Sequence, residues 1–380
     1  MTGARAPRIP FLALTPGEDA PAIRAAIDRV IARGWFILGP EVEAFEAEFA
    51  AAMGAAHGVG VGSGTDAIAL ILRALDIGPG DEVITTPLSA AYSALAVMMA
   101  GARPVFADID PDRLTLDAGQ VARAIGPRTR AIVPVHLYGQ AADMTAIERV
   151  AARHNLAIVE DCCQAHLATA GGRPVGTIGV AGAVSFYPTK NLGALGDGGA
   201  VVTNDRALAD RIKRMRNGGQ SDRYHHAEPG INSRLDELQA AILRARLPFL
   251  RQWTARRRAL AARYREALAT GTAGIDVPPE LDPGHVYHLF VIKVRGDRSA
   301  RDAFQAHLAA DGVEALIHYP VPIPRQPALA GERPAECPIA TRVCGEILSL
   351  PLHPALSEHE VDAVAAAVKG AVPLFQARLR

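Results

Sequence analysis

Lysine is rare in this chain, and one lysine lies in a setting that favours chemistry. The forty Lys and Arg residues of the 380-residue chain include only four lysines. Lys213, Lys293 and Lys369 occur in patterns that are typical of a solvent-exposed surface. Lys190 instead lies in the apolar and aromatic run at residues 185–199, directly before several glycines. A lysine that is partly removed from water has a lowered pKa, so its amine can act as a nucleophile or proton carrier near neutral pH.

A second candidate is the segment Gly-Ser-Gly-Thr-Asp at residues 62–66, which precedes an apolar helical pattern. Free backbone N–H groups and the positive end of a helix dipole favour an anion there, and the small residues let it approach. A plain helix N-cap by Ser63 or Thr65 explains the same residues equally well. The segment also fits a dinucleotide-binding pattern, which requires an acidic residue at the end of the next strand. Asp81 and Glu82 precede their strand, so the dinucleotide interpretation is disfavoured.

A third candidate is Asp161, at the carboxyl end of an apolar strand pattern. In an open parallel sheet, the strand ends on that side form the ligand crevice. Asp161 and Ser185, which ends another strand, are therefore expected near the helix start at residue 62. A buried carboxylate requires a cationic partner, although a helix-capping role explains Asp161 equally well when it is considered alone.

Together these features match the requirements of pyridoxal phosphate (PLP). A lysine forms the Schiff base with the cofactor, a carboxylate keeps the ring nitrogen protonated, and a helix terminus holds the phosphate. A metal hydrolase requires His and carboxylate residues at ligand spacing, and the sequence shows no such cluster. The sequence therefore predicts a PLP enzyme without a metal, in which Lys190 is the catalytic residue.

Composition limits the class of protein. The residues are 49% hydrophobic and the formal charge is zero, which gives no general electrostatic reason to bind nucleic acid or an acidic membrane. Four cysteines are too few for a disulfide framework and indicate a reducing compartment. The sequence shows no signal-peptide core and no apolar run long enough to span a bilayer. We therefore expect a cytoplasmic protein without nucleic-acid or membrane partners.

Alternating strand and helix patterns occupy the first half of the chain. Strands are predicted at residues 83–86, 104–108, 131–136, 157–160, 183–187 and 199–203. Helices are predicted at residues 20–33, from 40, and at 67–75, 89–100, 118–125 and 144–154, with a glycine-rich turn at 58–64. Helical connections of this length indicate a mostly parallel sheet covered on both faces, that is, an α/β fold.

The rhythm changes after residue 204. Helices are predicted at residues 206–216, 235–247, 251–268, 301–311 and from 358, and strands at 287–294 and 314–319. Pro248 interrupts the helical pattern. We therefore predict a large domain at residues 1–248 and a small C-terminal α/β domain at residues 249–380.

Seven motifs in order carry a specific family resemblance. They are GWFILGP at 34–40, GSGTD at 62–66, PVHLYG at 134–139, EDCCQAH at 160–166, the run at 185–199, GINSRLD at 230–236 and HYP at 318–320. On these motifs the chain resembles the DegT/DnrJ/EryC1/StrS aminotransferases, PLP-dependent enzymes that aminate keto sugars, usually nucleotide-linked. The resemblance implies the aspartate-aminotransferase-like fold (fold type I), with a large PLP-binding domain and a small C-terminal domain.

The resemblance also implies a role for each matched residue. Lys190 would be the Schiff-base lysine and proton shuttle, Asp161 would pair with the ring nitrogen, and Gln164 would lie near the ring hydroxyl. The implied phosphate contacts are Gly64, Thr65, Ser185 and, from the neighbouring subunit of a homodimer, Asn232. The implied neighbours of the substrate are Arg234, His318 and Tyr319, for which ordinary packing is an equally good explanation.

The chain departs from the family pattern in two places. Where many members carry an aromatic residue that stacks on the cofactor, this chain has Ala90 and Ala91, followed by Tyr92. Either Tyr92 substitutes, as a contact at the substrate side of the site, or the ring face is covered differently. In the loop after the HYP motif, the family's histidine is replaced by Pro324 and Arg325. The sequence therefore predicts no specific sugar.

The expected function is a two-step transamination from glutamate to a keto sugar, most consistent with a nucleotide-linked 3-keto or 4-keto deoxyhexose in amino-sugar biosynthesis. One alternative is a PLP-dependent sugar dehydratase, which the presence of Lys190 disfavours because the family's known dehydratases replace that lysine. The other is a non-catalytic regulatory or sensor member of the family. The intact set of Lys190, Asp161 and Ser185 disfavours it.

Overall fold

The computed structural model describes residues 9–333 and 336–379. The outer ends of the two predicted domains, residues 1 and 380, lie outside the described residues. The helices are α1 (Ala20–Arg33), α2 (Pro40–Ala52), α3 (Gly64–Ala74), α4 (Tyr92–Met99), α5 (Ala118–Ala124), α6 (Met144–His154), α7 (Arg206–Met215), α8 (Glu237–Arg246), α9 (Leu250–Ala267), α10 (Arg298–Ala310), α11 (Pro338–Glu346) and α12 (Glu358–Leu379). None of these described helices combines the length and the apolar character that crossing a membrane requires.

The strands alternate with the helices in the first half of the chain and are shorter in the second half. They are β1 (His57–Val61), β2 (Glu82–Thr85), β3 (Arg103–Phe106), β4 (Thr129–Val133), β5 (Ala157–Asp161), β6 (Thr169–Ala170), β7 (Arg173–Pro174), β8 (Ala181–Ser185), β9 (Gly199–Thr203), β10 (Gln220–Asp222), β11 (His225–His226), β12 (Ile275–Asp276), β13 (Phe290–Val294) and β14 (Ile347–Leu350).

Capping residues explain why several helix boundaries were predictable. Helix α1 ends where Gly34 adopts a left-handed conformation (φ +67°) and its N–H donates to Val30 O over 3.0 Å. Helix α6 begins where the side chain of Asp143 accepts a hydrogen bond from the N–H of Ala146, and it ends at Asn155, which is also left-handed. The predicted bounds of these two helices are confirmed.

A seven-stranded sheet forms the centre of the large domain, in the order β1-β9-β8-β5-β4-β2-β3. Strands β3, β2, β4, β5 and β8 pair in parallel, and β9 is antiparallel to both of its neighbours, β8 and β1. The prediction of a mostly parallel sheet is confirmed. Because β5 pairs with β8, the carboxyl ends that carry Asp161 and Ser185 lie side by side.

Both faces of this sheet are covered. Successive residues of the central strands contribute to two different apolar clusters: Ile158 packs in one cluster with α2 and α6, and Val159 packs in the other with α3 and α7. This alternation is the period-two pattern of a strand that is buried on both sides. The polar residues at the strand ends are therefore the ones free to form a site.

The predicted glycine-rich turn at residues 58–64 is wrong for residues 58–61, which belong to strand β1, so that the turn into α3 is only residues 62–63. The glycines there allow close packing. A Cβ on Gly58 would lie 2.5 Å from Glu46 O, and a Cβ on Gly60 would lie 3.0 Å from the Cβ of Leu235. A strand that packs closely against neighbouring elements requires residues without side chains. The resulting glycine-rich sequence resembles that of a turn.

The predicted strand at residues 314–319 is also wrong. Leu316 alone pairs with Ser349 of β14, through N–H···O bonds of 3.1 and 2.7 Å. The segment then leaves the small sheet, whose order is β12-β13-β14, and brings His318 and Tyr319 to the cavity described below. Helix α11, strand β14 and the small hairpin β10–β11 were not predicted.

A separate apolar cluster lies in the C-terminal part of the chain and includes Tyr264, Phe290 and Leu348, together with Ile9 from the N-terminal segment. A 3₁₀ turn at Leu247–Phe249 separates α8 from α9. We propose the division into two domains near residue 248 on these grounds, with the N-terminal segment packed against the second domain.

Candidate active site

A cavity of about 1020 Å³ lies at the carboxyl ends of β5 and β8. It brings together residues from the large domain and from the loops of the small domain. All eleven residues singled out from the sequence line it: Gly64, Thr65, Tyr92, Asp161, Gln164, Ser185, Lys190, Asn232, Arg234, His318 and Tyr319.

The start of helix α3 forms one end of the cavity. The side chain of Ser63 caps the helix by accepting from the N–H of Asp66 over 3.1 Å. Ser233 fixes the same turn, because its Oγ accepts from the N–H of Gly62 (2.9 Å) and donates to Asp66 Oδ2 (2.8 Å). The positive end of the helix dipole thus faces a rigid turn inside the cavity, which is the arrangement that binds a phosphate.

Gly64 is the point where this turn approaches the strand ends most closely. A Cβ at this position would lie 2.5 Å from Cys163 Sγ and 2.9 Å from the Cβ of Ser185. A side chain would therefore clash with the walls. The absence of a side chain at Gly64 lets the helix start pack directly against Cys163 and Ser185 at the edge of the cavity.

Asp161 is only 5% exposed, and its carboxylate already has two partners. Ser93 Oγ donates to Oδ2 over 2.6 Å, and the N–H of Cys163 donates to Oδ1 over 3.0 Å. Each carboxylate oxygen can accept a further hydrogen bond. Asp161 can therefore hold a protonated ring nitrogen from the cavity while the protein fixes its orientation.

Lys190 enters the cavity from the loop between β8 and β9. Its backbone N–H donates to Tyr187 O (2.8 Å), which closes a turn. The next residue, Asn191, donates from Nδ2 to Val286 O (3.2 Å), and its Oδ1 lies 3.2 Å from His288 Nδ1. Burial lowers the pKa of Lys190, and the nearby Cys163 and Asp161 oppose that shift. The amine is therefore more available than that of a surface lysine.

The charge of Lys190 influences three histidines, of which His166 and His288 are buried and His318 is half-buried. Burial, and then the charge of Lys190, lower the pKa of His166 to about 3 and that of His318 to about 4. The same two causes lower the pKa of His288 well below its usual value. All three imidazoles are therefore neutral near pH 7, so they do not repel a positive charge on Lys190.

Gln164 connects the large domain to the loop of the small domain. Its Oε1 accepts from the N–H of Tyr138 (2.8 Å), and its Nε2 donates to the hydroxyl of Tyr319 (3.0 Å). The hydroxyl of Tyr138 in turn donates to His318 O. Burial raises the pKa of Tyr319 to about 12, so its hydroxyl stays protonated. This chain of contacts fixes the wall of the cavity beside Asp161.

The rim of the cavity is more open. Tyr92, the first residue of α4, is 63% exposed, and Asn232 is exposed as well. Arg234 is held by a 3.0 Å hydrogen bond from its Nη1 to Asn217 Oδ1. Asn232 lies at the rim of its own chain's cavity, so its contribution to a neighbouring subunit stays a prediction.

Sequence reasoning missed several residues that the structure brings to the site. Ser93 binds Asp161, and Cys163, Tyr187 and His288 line the cavity. Cys163 and Tyr187 lie within motifs that were recognised, so their positions beside Asp161 and Lys190 were an available signal. Ser93 and His288 come from a helix and a loop whose approach only the tertiary structure reveals.

A His and carboxylate cluster does exist below the site, contrary to the reading of the sequence. Ligand atoms of His136, Glu160 and Cys162 lie within 4.8 Å of one another. The cluster could not be predicted from the sequence, because the pairing of two strand ends brings its residues together. Glu160 accepts hydrogen bonds from His136 Nε2 and from three backbone N–H groups, and His136 Nδ1 accepts from Ala142 N. A metal ion would have to displace these hydrogen bonds.

The residues of the cavity fit PLP. The start of helix α3 at Gly64 and Thr65 lines the cavity, and its backbone N–H groups can hold a phosphate. Asp161 has lone pairs for a ring nitrogen, and Lys190 has an amine whose pKa burial lowers. Phosphate, pyridine nitrogen and aldehyde are the three groups through which a protein holds this cofactor.

Comparison with known proteins agrees with this geometry. The sequence model of the DegT/DnrJ/EryC1/StrS aminotransferase family matches residues 18–369. The chain is 49% identical over 373 residues to the dTDP-3-amino-3,4,6-trideoxy-alpha-D-glucose transaminase of Streptomyces venezuelae, covering 96% of this chain and 97% of the relative. It is 48% identical over 371 residues to the erythromycin biosynthesis sensory transduction protein EryC1 of Saccharopolyspora erythraea, covering 95% and 99%.

A solved structure agrees as well. The crystal structure of S. venezuelae DesV in complex with a ketimine intermediate superposes with a TM-score of 0.92 at 48% identity and covers 97% of this chain and 99% of that chain. The predicted fold class is confirmed by this agreement. Since the family match and these similarities span nearly the whole sequence, the chain belongs to the DegT/DnrJ/EryC1/StrS aminotransferase family and is a PLP-dependent aminotransferase.

Proposed function

We propose that the protein transfers an amino group from glutamate to a nucleotide-linked keto sugar, a 3-keto or 4-keto deoxyhexose, in amino-sugar biosynthesis. The observation that carries the proposal is the convergence of the α3 helix start, Asp161 and Lys190 in one cavity. The volume of about 1020 Å³ also supports it, because it lies at the upper end of the ~300–1,000 Å³ that is typical of ligand pockets. A large substrate such as a nucleotide sugar suits this space.

Each residue has a role in the proposal. When bound, PLP supplies an electron-accepting ring that carries the amino group between the two substrates. Lys190 moves the proton at its Nζ, since burial lowers its pKa toward the working pH. Asp161 holds the ring nitrogen, and Gln164 lies at the ring edge beside Tyr319. Backbone N–H groups at Gly64 and Thr65, with Ser185, hold the phosphate, and Asn232 adds a contact from a second subunit.

The rim residues and the subunit arrangement belong to the same proposal. Tyr92, Arg234 and the His318–Tyr319 loop border the sugar. Ile37 and Tyr187 are large, exposed side chains that line the cavity. A second copy of the chain would cover these apolar surfaces and complete the cavity, so we propose a homodimer with the active sites at the interface.

We also propose a cytoplasmic location. The four cysteines are free thiols, and three of them are buried. Free thiols are compatible with a reducing compartment. Nucleic acid and membranes are not among the proposed partners.

Absorbance of the purified protein tests the cofactor chemistry. Wild type with added PLP should show the visible band of a lysine-bound cofactor, and borohydride should fix the cofactor to Lys190. Lys190→Ala should lose both signals. Lys213→Ala is the matched control, because Lys213 makes only a 3.6 Å ion pair with Glu46 in a partly exposed position. Retention of the borohydride-fixed cofactor in Lys190→Ala would refute the assignment.

A substrate panel tests the transfer. Wild type with glutamate should aminate at least one member of a set of nucleotide-linked 3-keto and 4-keto sugars, as measured by mass spectrometry of the product. Loss of a hydroxyl without gain of nitrogen would identify the dehydratase alternative. A regulatory role is the second candidate, because one relative at 48% identity is named a sensory transduction protein. Cofactor binding without turnover of any sugar would favour it.

A further inference from the structure

A second cavity of about 620 Å³ shares two lining residues, Thr189 and Lys190, with the active-site cavity. Its other walls are the N-terminal segment at residues 12–19, the start of helix α9 and the loop at residues 353–355. We name this space the Arg257 cleft. It lies at the junction between the lysine loop and the small domain, and the proposed function has not assigned it a ligand.

Arg257 is the reason for the name. Its side chain is 4% exposed and lines the cleft. Nη1 donates to three carbonyl oxygens, those of Leu352 at 2.7 Å and of Tyr287 and His288 at 3.3 Å, while Nε lacks a partner among the described residues. No carboxylate of the described part of the chain forms an ion pair with it. Burial lowers the pKa of Arg257 to about 10, which reflects this uncompensated charge.

Several other polar and charged side chains of the cleft have partners. Arg246 Nε lies 2.9 Å from Asp19 Oδ2. Glu18 accepts a 2.9 Å hydrogen bond from the indole of Trp253. At the rim, Arg256 pairs with Glu358 over 3.4 Å. Asp19 is therefore paired with a cation, whereas Glu18 keeps its negative charge because an indole N–H is neutral. Arg257 is a buried cation of the cleft that has no ion-pair partner among the described residues.

His353 adds a polar group to the same wall. It is buried, and neither ring nitrogen makes a hydrogen bond of full geometry with a described residue, although the backbone of Pro10 lies close enough to oppose the effect of burial on its pKa. Burial lowers its pKa, so the ring is neutral near pH 7 and offers one donor and one acceptor. A guanidinium without a counterion and an imidazole without a hydrogen bond of full geometry are two independent groups in one cavity, and both suit a carboxylate.

The cleft also lies at a useful place relative to Lys190. Lys190 and Arg257 line the same cleft, and both cations act on the imidazoles of His166 and His288. A molecule whose amino group reacts beside Lys190 could therefore extend past Thr189 toward Arg257. Its α-carboxylate stays next to the reacting amine, so only a carboxylate at the far end of a side chain could enter the cleft.

We propose that the Arg257 cleft binds the side-chain carboxylate of a dicarboxylic amino-acid donor, with Arg257 as its cation and His353 as a hydrogen-bond partner. The inference rests on the proposed function and deepens it, because it gives the amino donor a subsite separate from the sugar's. A guanidinium can bind a carboxylate through two parallel hydrogen bonds, which selects a dicarboxylic donor such as glutamate over one with a small apolar side chain.

The first half of the reaction tests the cleft without any sugar. The PLP-loaded protein is mixed with L-glutamate or L-alanine, and loss of the visible band is followed against donor concentration. Inhibition by glutarate, which lacks an amine and does not react, is measured in parallel as a binding readout. Arg257→Gln should raise the half-saturating glutamate concentration and the glutarate inhibition constant about 10- to 100-fold, in line with the strength of charged hydrogen bonds. The alanine reaction should be unaffected.

A second variant is needed in case Arg257→Gln does not fold, because Arg257 also donates hydrogen bonds to three carbonyl oxygens. Gln252 is exposed and lines the cleft, so Gln252→Glu adds a negative charge there without removing a buried contact. This variant should raise the half-saturating glutamate concentration and the glutarate inhibition constant about 3- to 10-fold. The reaction with alanine should be unchanged. Arg251→Gln, a charge change at an exposed neighbour outside the cleft, is the control and should behave like wild type.

The outcomes separate the inference from the proposed function. If glutamate converts the cofactor and both cleft variants keep wild-type glutamate and glutarate dependence, the inference is wrong and the proposed function stands. If Arg257→Gln does not fold, the result for Gln252→Glu decides. If no amino acid converts the cofactor of the wild type, the proposed function itself fails.

Discussion

Glu160 and Asp161 are neighbours at the end of β5, yet the structure uses them differently. Glu160 points into the sheet, where it accepts hydrogen bonds from His136 Nε2 (3.0 Å) and from the N–H groups of Gly176, Ile178 and Gly179 at 2.7 to 2.8 Å. Asp161 has two protein partners and opens onto the cavity. Both carboxylates are buried, so burial alone does not distinguish them.

The difference lies in how many lone pairs the protein itself occupies. A carboxylate offers about four acceptor sites, and the four donors around Glu160 occupy them. Asp161 keeps free acceptor sites on the side of Lys190. A saturated carboxylate holds the fold together, whereas an unsaturated one that faces a cavity is available to a ligand. The following tests address this distinction.

The largest expected effect is on turnover through Asp161. Asp161→Asn removes the negative charge that would keep the cofactor's ring nitrogen protonated. We expect the turnover number to fall about 10³-fold, within the range of such catalytic contributions, while the melting temperature changes little. Asp205→Asn, at the N-cap of α7, is the control for loss of one carboxylate. An Asp161→Asn enzyme with more than a tenth of wild-type turnover would contradict the distinction.

Glu160 should show the opposite pattern. Glu160→Gln places an NH₂ group opposite buried N–H donors and removes the charge beside His136. We expect the free energy of unfolding to fall by about 3 kcal/mol, with unchanged turnover per folded molecule. Urea unfolding and active-site titration measure the two quantities. Equal stability of Glu160→Gln and wild type would show that the saturated carboxylate is not structural.

The pH dependence of stability should distinguish the buried carboxylate of Glu160 from the histidines around the cavity. His166 and His318 have lowered pKa values of about 3 and 4, so the unfolded chain binds protons below pH 6.5 that the folded chain does not. Stability should therefore fall by about 1.4 kcal/mol per histidine for each pH unit below 6.5. Burial alone would raise the pKa of Glu160, but the hydrogen bonds of His136, Gly176 and Gly179 bring it below 4.5, so its contribution is lost only at lower pH.

Urea unfolding between pH 7 and 4.5 measures this slope. His318→Gln should reduce it by the share of one histidine. Glu160→Gln should lower stability at every pH in this window without changing the slope. The assignment would be wrong if His318→Gln left the slope unchanged.

The smallest expected effect concerns Ser93, which donates to Asp161 Oδ2 over 2.6 Å. Ser93→Ala removes one of the two groups that orient the carboxylate and keeps its charge. We expect turnover to fall about 5- to 10-fold, the equivalent of one hydrogen bond. The pH profile of turnover is the second readout, since a merely structural loss would lower activity equally at all pH values. A Ser93→Ala enzyme with wild-type turnover would show that the Cys163 N–H alone positions Asp161.

Several elements could be predicted because their signals are local. The α1 and α6 boundaries follow from the residues that cap them, and β9 follows from a short β-branched run. Strand β1 could not be predicted, since Gly58 and Gly60 are required by the packing of Glu46 and Leu235, residues distant in sequence. The prediction of a strand around Leu316 was wrong for a related reason. An extended segment becomes a strand only where a partner strand pairs with it along its length.

The site shows the same division. The chemistry of Lys190, Asp161 and the turn at Gly64 is encoded in residue type and in short motifs, which is why the sequence by itself determined the family and the cofactor. Only the tertiary structure decided which side of β5 each carboxylate faces, since strand pairing places Ser93 and Cys163 around Asp161 and three N–H groups around Glu160. The sequence of the arginine-rich helix α9 likewise does not reveal that Arg257 lacks an ion-pair partner. Burial and the distances to carboxylates are properties of the folded chain.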